Sequence, residues 1–174
     1  MRKNIVVICY DYALSRRIAV ILSEMFNMRF FDMYDMFLFD NAPYSFGEVL
    51  DLNGKEYVDK ELRGILKNEL DFSGVVFVVD TKVISENEDL YKDFKENNVI
   101  MFLKNDFKQE FLQREHIAFK SEEEKNYFSL PIDVLVETEQ FIEKNLADFV
   151  LNIDNLTYRE IKDNILEKLK QLVG

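Results

Sequence analysis

An apolar run of five residues, Ile5-Val6-Val7-Ile8-Cys9, decides the fold class of this chain. Further runs of the same character extend from Val75 to Val79, from Val99 to Leu103 and from Phe149 to Ile153. Continuous apolar runs of this length are typical of strands that are buried on both faces, as in parallel sheets. The runs therefore predict the strands of a parallel sheet.

Segments with helical spacing of their apolar residues lie between these runs. The spacing is clearest at Ile18, Ile21, Leu22 and Met25, and again at Leu62, Ile65, Leu66 and Leu70. Alternating strands and helices imply right-handed βαβ crossovers. We therefore predict an α/β fold: a three-layer, doubly wound parallel sheet of about five strands with helices on both faces.

No composition shift divides the sequence into domains. The 174 residues lie within the usual size of one domain, and the 5 Gly and 2 Pro form no linker. We expect a single domain over residues 1–174. Its last helix should begin at the capping box formed by Thr157 and Glu160.

The charge and the rare metal-binding residues limit the classes of partner. A formal net charge of -11 argues against nucleic acids and anionic membranes, which basic surfaces bind. Cys9 is the only cysteine and His116 the only histidine, so neither an internal disulfide nor a Cys/His metal cluster can form. We expect a cytoplasmic protein with no cofactor and no metal, and with no nucleic-acid or membrane partner.

Several segments, in order and at matching intervals, resemble the shikimate kinases. The first strand, its turn and helix, and Phe30-Phe31-Asp32 resemble that family's strand, phosphate loop, helix and Phe-x-Asp-x-Asp segment. The resemblance continues through Ser45 to Val49, Glu96 to Leu103 and Ala147 to Val150, so it covers nearly the whole chain. It implies a P-loop kinase fold and a bacterial origin.

This sequence departs furthest from the family's pattern at the phosphate loop. The matching stretch is Cys9-Tyr10-Asp11-Tyr12-Ala13-Leu14-Ser15-Arg16, in which Cys9 and Leu14 replace the two glycines. Ser15 replaces the lysine and Arg16 the hydroxyl residue that would hold Mg²⁺. We interpret Ser15, Arg16 and Arg17 as the remnant of a nucleotide loop.

The family's substrate residues are also replaced. Tyr34 takes the place of the second Asp of the Phe-x-Asp-x-Asp segment, and Asp59 that of an Arg that would hold the shikimate carboxylate. Asp80 lies where a glycine triplet would be, and the second carboxylate-binding Arg would fall near residues 138–140. Asp32 matches the Asp that would contact a Mg²⁺-bound water, although a helix cap is an alternative role. We interpret Asp32, Tyr34, Asp59 and Asp80 as remnants of a substrate cleft.

Ser15, Arg16 and Arg17 leave two interpretations open. At the start of the first helix the arginines could bind a small phosphate, because free N–H groups and the helix dipole favour anions there. Alternatively they are exposed residues or salt-bridge partners of the many acids, with Ser15 as a simple N-cap.

Two further segments bear on the cleft. Tyr10, Tyr12 and Tyr34 could fill it, or they could line a pocket for a small aromatic metabolite. The apolar segment 130–137 is expected to be a helix that either covers the cleft or offers a surface to another chain.

Three functions follow from these interpretations. The first is a catalytically inactive protein that acts through a protein partner or through its own copies, and for which neither ATP nor shikimate binding is expected. The alternative is a small-molecule kinase with an anion loop of Ser15, Arg16 and Arg17, and with Mg²⁺ on Asp32 or Asp80. The third is a binding protein for an aromatic metabolite.

Overall fold

Five parallel strands form one sheet within the residues that this computed structural model describes, which are 4–69, 71–79, 83, 88–105, 122–128 and 131–173. The order across the sheet is β2-β3-β1-β4-β5. The strands are β1 (Asn4–Cys9), β2 (Arg29–Asp32), β3 (Val75–Val78), β4 (Asn98–Lys104) and β5 (Phe149–Asn152). The four apolar runs therefore form β1, β3, β4 and β5, and the predicted parallel sheet is confirmed.

Helices occupy most of the connections between the strands. They are α1 (Tyr12–Phe26), α2 (Met33–Asp40), α3 (Phe46–Asn53), α4 (Lys55–Glu69), α5 (Glu88–Asn97), α6 (Glu122–Phe128), α7 (Ile132–Phe141) and α8 (Tyr158–Val173). A π-helical turn, Ile142–Leu146, continues α7. Within the described residues, no helix is both long and apolar enough to cross a lipid bilayer.

Side chains of β1 alternate between two cores, one on each face of the sheet. Val6 and Ile8 lie in the first core with side chains from α2 to α6 and from the π-helical turn. Ile5 and Val7 lie in the second core, where α1 and α8 pack. Since successive residues of a strand point to opposite faces, an uninterrupted apolar run is required. Helices cover both faces, as the doubly wound prediction requires.

Asn4 fixes the start of the central strand to a distant part of the chain. Its buried amide donates from Nδ2 to the carbonyl oxygen of Phe72 at 2.9 Å and accepts at Oδ1 from the amide of Val75 at 3.1 Å. The polar side chain is therefore satisfied inside the protein, as burial demands. It also sets the register in which Ile5 pairs with Val76.

The predicted capping box at the start of α8 is confirmed. The amide of Glu160 donates to the Thr157 hydroxyl at 3.4 Å, and the amide of Thr157 donates to the Glu160 carboxylate at 2.8 Å. The hydroxyl also donates to that carboxylate, and these bonds hold the pKa of Glu160 below its ordinary value. The box begins the helix at Tyr158.

Candidate functional site

The carboxyl ends of the strands form the edge of the sheet at which α/β proteins bind ligands. The chain leaves β1 toward β2 on one side of the sheet and leaves β4 toward β5 on the other. Ligand sites of open α/β sheets lie at such switch points. The stretch that resembles a phosphate loop lies here, directly after β1.

An aspartate begins the helix where a phosphate loop would hold its anion. Only Tyr10 and Asp11 separate β1 from α1, and Asp11 is the N-cap, with Oδ1 accepting from the amide of Leu14 at 3.0 Å. A carboxylate at this position uses one free N–H group and faces the positive end of the helix dipole. The anion position at the start of α1 is therefore filled by the protein's own charge.

Ser15 is not the N-cap that the sequence suggested. It lies in the second turn of α1, is fully buried, and donates from Oγ to the carbonyl oxygen of Cys9 at 3.3 Å. The expectation was wrong because Asp11, four residues earlier, already caps the helix and Tyr12 already belongs to it.

The two arginines of this helix bind side chains of the protein rather than forming a loop with Ser15. Arg16 donates to Asp32 at 2.5 Å and to Asp35 at 2.6 Å. The guanidinium of Arg17 lies over the ring of Tyr158, 4.7 Å from its centroid. These contacts agree with the salt-bridge interpretation of Arg16 and oppose the anion-loop interpretation.

Asp32 is the most heavily bonded side chain of the site. It is the N-cap of α2 and is only 3% exposed, and its Oδ1 accepts from the amides of Tyr34 at 2.9 Å and Asp35 at 3.3 Å. The same oxygen accepts from the Tyr12 hydroxyl, while Oδ2 accepts from Arg16. The cap role that the sequence allowed for Asp32 is therefore the one that the structure shows.

The pKa values of its two partners follow from these contacts. Burial, together with the hydrogen bond to Asp32, raises the pKa of the Tyr12 phenol far above its ordinary value. The hydrogen bond to Asp35, followed by the charge of Asp32, raises the pKa of Arg16. Tyr12 therefore stays protonated and Arg16 stays charged near neutral pH.

Mg²⁺, which the resemblance to shikimate kinases implies near Asp32, does not fit the described residues. Both oxygens of Asp32 already accept hydrogen bonds, and a metal ion would have to displace Arg16 and Tyr12. Among the residues that the structure describes, no cluster of three His, Cys, Asp or Glu side chains could hold a metal ion. Asp80, the other proposed ligand, lies outside the described residues, as does His116.

Aromatic rings occupy the space next to Asp32. Tyr34 meets Tyr12 edge to face at 5.3 Å between ring centroids, and it meets Phe46 and Phe128 at 5.7 Å each. We call Tyr12, Tyr34, Phe46, Tyr127 and Phe128 the aromatic cluster. Edge-to-face contacts of this kind stabilise a packed interior. Of the two interpretations of these tyrosines, filling of the cleft is the one that the contacts support.

Asp59 of α4 contacts the aromatic cluster. Its Oδ1 accepts from the Tyr127 hydroxyl at 2.7 Å, and Lys55 lies 3.8 Å from its Oδ2. The Tyr127 ring in turn packs 5.2 Å from that of Phe46. Asp59, which stands where the resemblance would place a carboxylate-binding arginine, thus anchors α6 to α4.

Tyr10 and α7 close the edge of the sheet beside β4. The Tyr10 hydroxyl donates to the carbonyl oxygen of Leu135 at 3.2 Å, and its ring packs on Phe102 at 5.9 Å. Leu135 itself is buried. Among the described residues this apolar segment forms α7, which covers the edge through Leu135 while Val134 and Val136 remain exposed, so both of its interpretations stay open.

The sequence analysis missed an ion pair at the end of β4, in which a buried carboxylate binds a partly exposed lysine. Glu139 of α7 is almost fully buried and binds Lys104, which also contacts Glu143 at 2.6 Å. The hydrogen bonds to Glu139 and Glu143 raise the pKa of Lys104. The signal was available, because Glu139 and Glu143 stand four residues apart on one helical stretch and Lys104 ends an apolar run.

Solved shikimate kinases share this fold. The enzyme from Acinetobacter baumannii, in complex with shikimate, matches at a TM-score of 0.76 and 11% identity, covering 98% of this chain and 94% of its own. The shikimate kinase of Bacteroides thetaiotaomicron matches at 0.70 and 15% identity, covering 98% of each chain. That of Aquifex aeolicus matches at 0.70 and 20% identity, covering 98% of this chain and 99% of its own.

No protein-family model and no curated protein sequence matches the chain. Identities this low show the fold alone, so the predicted shikimate-kinase-like P-loop kinase fold is confirmed. Function has to be argued from the site, because one fold serves many functions.

Proposed function

We propose that this chain is a catalytically inactive protein with a shikimate-kinase-like fold that acts by binding another protein. One observation carries the proposal: the carboxylate of Asp11 caps α1 where the family's loop would hold phosphate. A phosphate placed there would meet a negative charge in place of a free N–H group.

The surrounding residues support the same conclusion for ATP. Phosphoryl transfer depends on backbone N–H groups, a lysine and Mg²⁺ that together stabilise the transferred charge. Here the connection from β1 to α1 has two residues, and the cation Arg16 is bound to Asp32 and Asp35. The charge that a nucleotide would need is therefore already neutralised.

The residues at the substrate positions support the proposal that the chain does not bind shikimate. Asp59 repels a carboxylate, and it is held by the Tyr127 hydroxyl. Tyr34 is packed between Tyr12 and Phe46 and presents an aromatic ring where a carboxylate would bind hydroxyl groups. We propose a protein partner because large apolar side chains, such as Phe39, remain exposed on the described surface.

Thermal-shift and calorimetric titrations with Mg-ATP, Mg-ADP and shikimate test the inactive part of this proposal. A ligand that binds only the folded state raises its stability by mass action, by about 2.7 kcal/mol at a hundredfold excess over Kd. We expect no shift at millimolar ligand, with an active shikimate kinase as the positive control in the same buffer.

A saturable nucleotide shift that disappears in the variant Arg16→Ala with Arg17→Ala would contradict the proposal. It would make the chain a kinase with a rebuilt anion loop. The matched control is Lys168→Ala with Lys170→Ala, which removes two exposed positive charges near the end of α8, several turns beyond the Tyr158 ring that Arg17 contacts.

A further inference from the structure

Three aromatic side chains stay exposed around the turn that follows α2. Phe39 is 77% exposed and Tyr44 is 51% exposed, and they lie on either side of the turn at Asn41. Tyr57 of α4 is also exposed and donates from its hydroxyl to Asn41 Oδ1 at 3.4 Å. We call Phe39, Tyr44 and Tyr57 the Phe39 surface.

The exposure of this surface is not a consequence of poor packing nearby. Phe37, two residues before Phe39, is fully buried, and Phe46, two residues after Tyr44, is nearly so. Helix α2 has the sequence MYDMFLFD, in which all residues but the two acids are apolar. The outer side of α2 thus exposes two large apolar side chains, Leu38 and Phe39, next to the exposed acids Asp35 and Asp40.

The charges around this surface select the chemistry of its partner. Residues 33–61 contain seven acids and two lysines. Of these acids, Asp35 binds Arg16, Glu48 forms the capping box with Ser45, and Asp59 binds Tyr127. Asp40 next to Phe39 and Glu56 next to Tyr57, together with Asp51 and Glu61, carry the remaining negative charge of this segment. Complementary charge around an aromatic anchor is the usual anatomy of a protein interface. A second copy of the chain would bring the same negative charge against this one, and a nucleic acid would be repelled in the same way.

We infer that the Phe39 surface docks a basic, amphipathic segment of another protein, whose apolar side chains contact Phe39 and Tyr44 and whose lysines or arginines face Asp40 and Glu56. This inference rests on the proposed function, since it names the partner class of that binding role. Docking of an amphipathic helix through a few apolar anchors is a common mode of peptide recognition.

A fluorescent peptide of about 18 residues, built from leucine and lysine as an amphipathic helix, is the probe. We expect saturable binding by anisotropy, weakened about tenfold or more by Phe39→Ser with Tyr44→Ser. The control, Met25→Ser with Leu172→Ser, removes apolar side chains of similar exposure from α1 and α8 and should bind as the original protein does. Both variants should lower the urea midpoint only slightly and by similar amounts, because Tyr44, Met25 and Leu172 are about half exposed and Phe39 more so.

Three results would overturn the inference. The first is no binding of the peptide, and the second is equal weakening in both variants, which would mean nonspecific attraction to an acidic protein. The third is a concentration-dependent dimer in sedimentation that Phe39→Ser with Tyr44→Ser abolishes, because the occupant would then be a second copy. An equivalent leucine–glutamate peptide should not bind.

The nucleotide titration separates this inference from the proposed function. If nucleotide binds and the peptide binds as well, the inactive assignment fails while the docking surface stands. If neither binds, the docking surface fails while the inactive assignment stands.

Discussion

Asp32→Ala should lower the free energy of unfolding more than the removal of any other charge nearby. The substitution removes the cap that accepts from the amides of Tyr34 and Asp35, which is worth about 1 kcal/mol. It also leaves the half-buried Tyr12 hydroxyl without its acceptor, at about 1 kcal/mol or more. The lost ion pair with Arg16, whose side chain is 41% exposed, adds at most about 1 kcal/mol.

The sum for Asp32→Ala is a loss of about 3 kcal/mol in the free energy of unfolding. For a chain of this length it lowers Tm by about 9 °C. Urea denaturation followed by circular dichroism measures the difference. The matched control is Asp35→Ala, which removes the exposed acid on the same arginine and should change the stability by about 0.5 kcal/mol.

The reasoning would be refuted if Asp32→Ala and Asp35→Ala were equally stable within about 0.5 kcal/mol. An increase in stability on losing Asp32 would refute it as well, since removing a group that is kept for function at the expense of stability often stabilises a protein. A second check uses Tyr12→Phe, which should cost less in the Asp32→Ala background than alone, because the acceptor is already gone.

Two further predictions concern the end of β4 and the start of α8. Lys104→Gln should lower the free energy of unfolding by about 2 kcal/mol at neutral pH, because buried Glu139 loses the cation that it binds. The loss is smaller than for a fully buried pair, since Lys104 is one-third exposed. Because the pKa of Lys104 is raised, its ion pair stabilises the fold fully below about pH 10, and this stabilisation is lost as the pH rises through the folded-state pKa. The difference in stability between the two proteins should therefore disappear in urea titrations at alkaline pH. A gap that is unchanged across that range would contradict this assignment. Thr157→Ala should lower Tm by about 3 °C through loss of the cap, with Thr157→Ser as the neutral control in the same melting experiment.

The strands were predictable because burial on both faces leaves a continuous apolar run in the sequence. β2 lacks such a run: it has four residues, begins at the exposed Arg29, and was visible only through the resemblance at Phe30-Phe31-Asp32. The start of α8 was predictable because a capping box is local, with its two members three residues apart.

The start of α1 was predicted wrongly because two residues of equal capping strength compete. Asp11 and Ser15 are equally good N-caps, and only the position at which β1 ends decides between them. The ion pair of Arg16 with Asp32 was allowed by the sequence but not specified by it, since any of 33 acids could have been the partner. The tertiary fold, rather than a local pattern, brings those two side chains together.

The amide of Asn4 also places a constraint on the order in which the chain can assemble. Its partner Val75 lies 71 residues further along, so at typical rates of synthesis β1 waits roughly 4 to 14 seconds for the strand beside it. During that interval the apolar run Ile5 to Cys9 has no strand to pair with. Contacts of such long range slow folding, because the loop must close before the pairing stabilises it. We therefore expect the emerging chain to bind a chaperone through this run until β3 has left the ribosome, and β1 to acquire its second neighbour, β4, only afterwards.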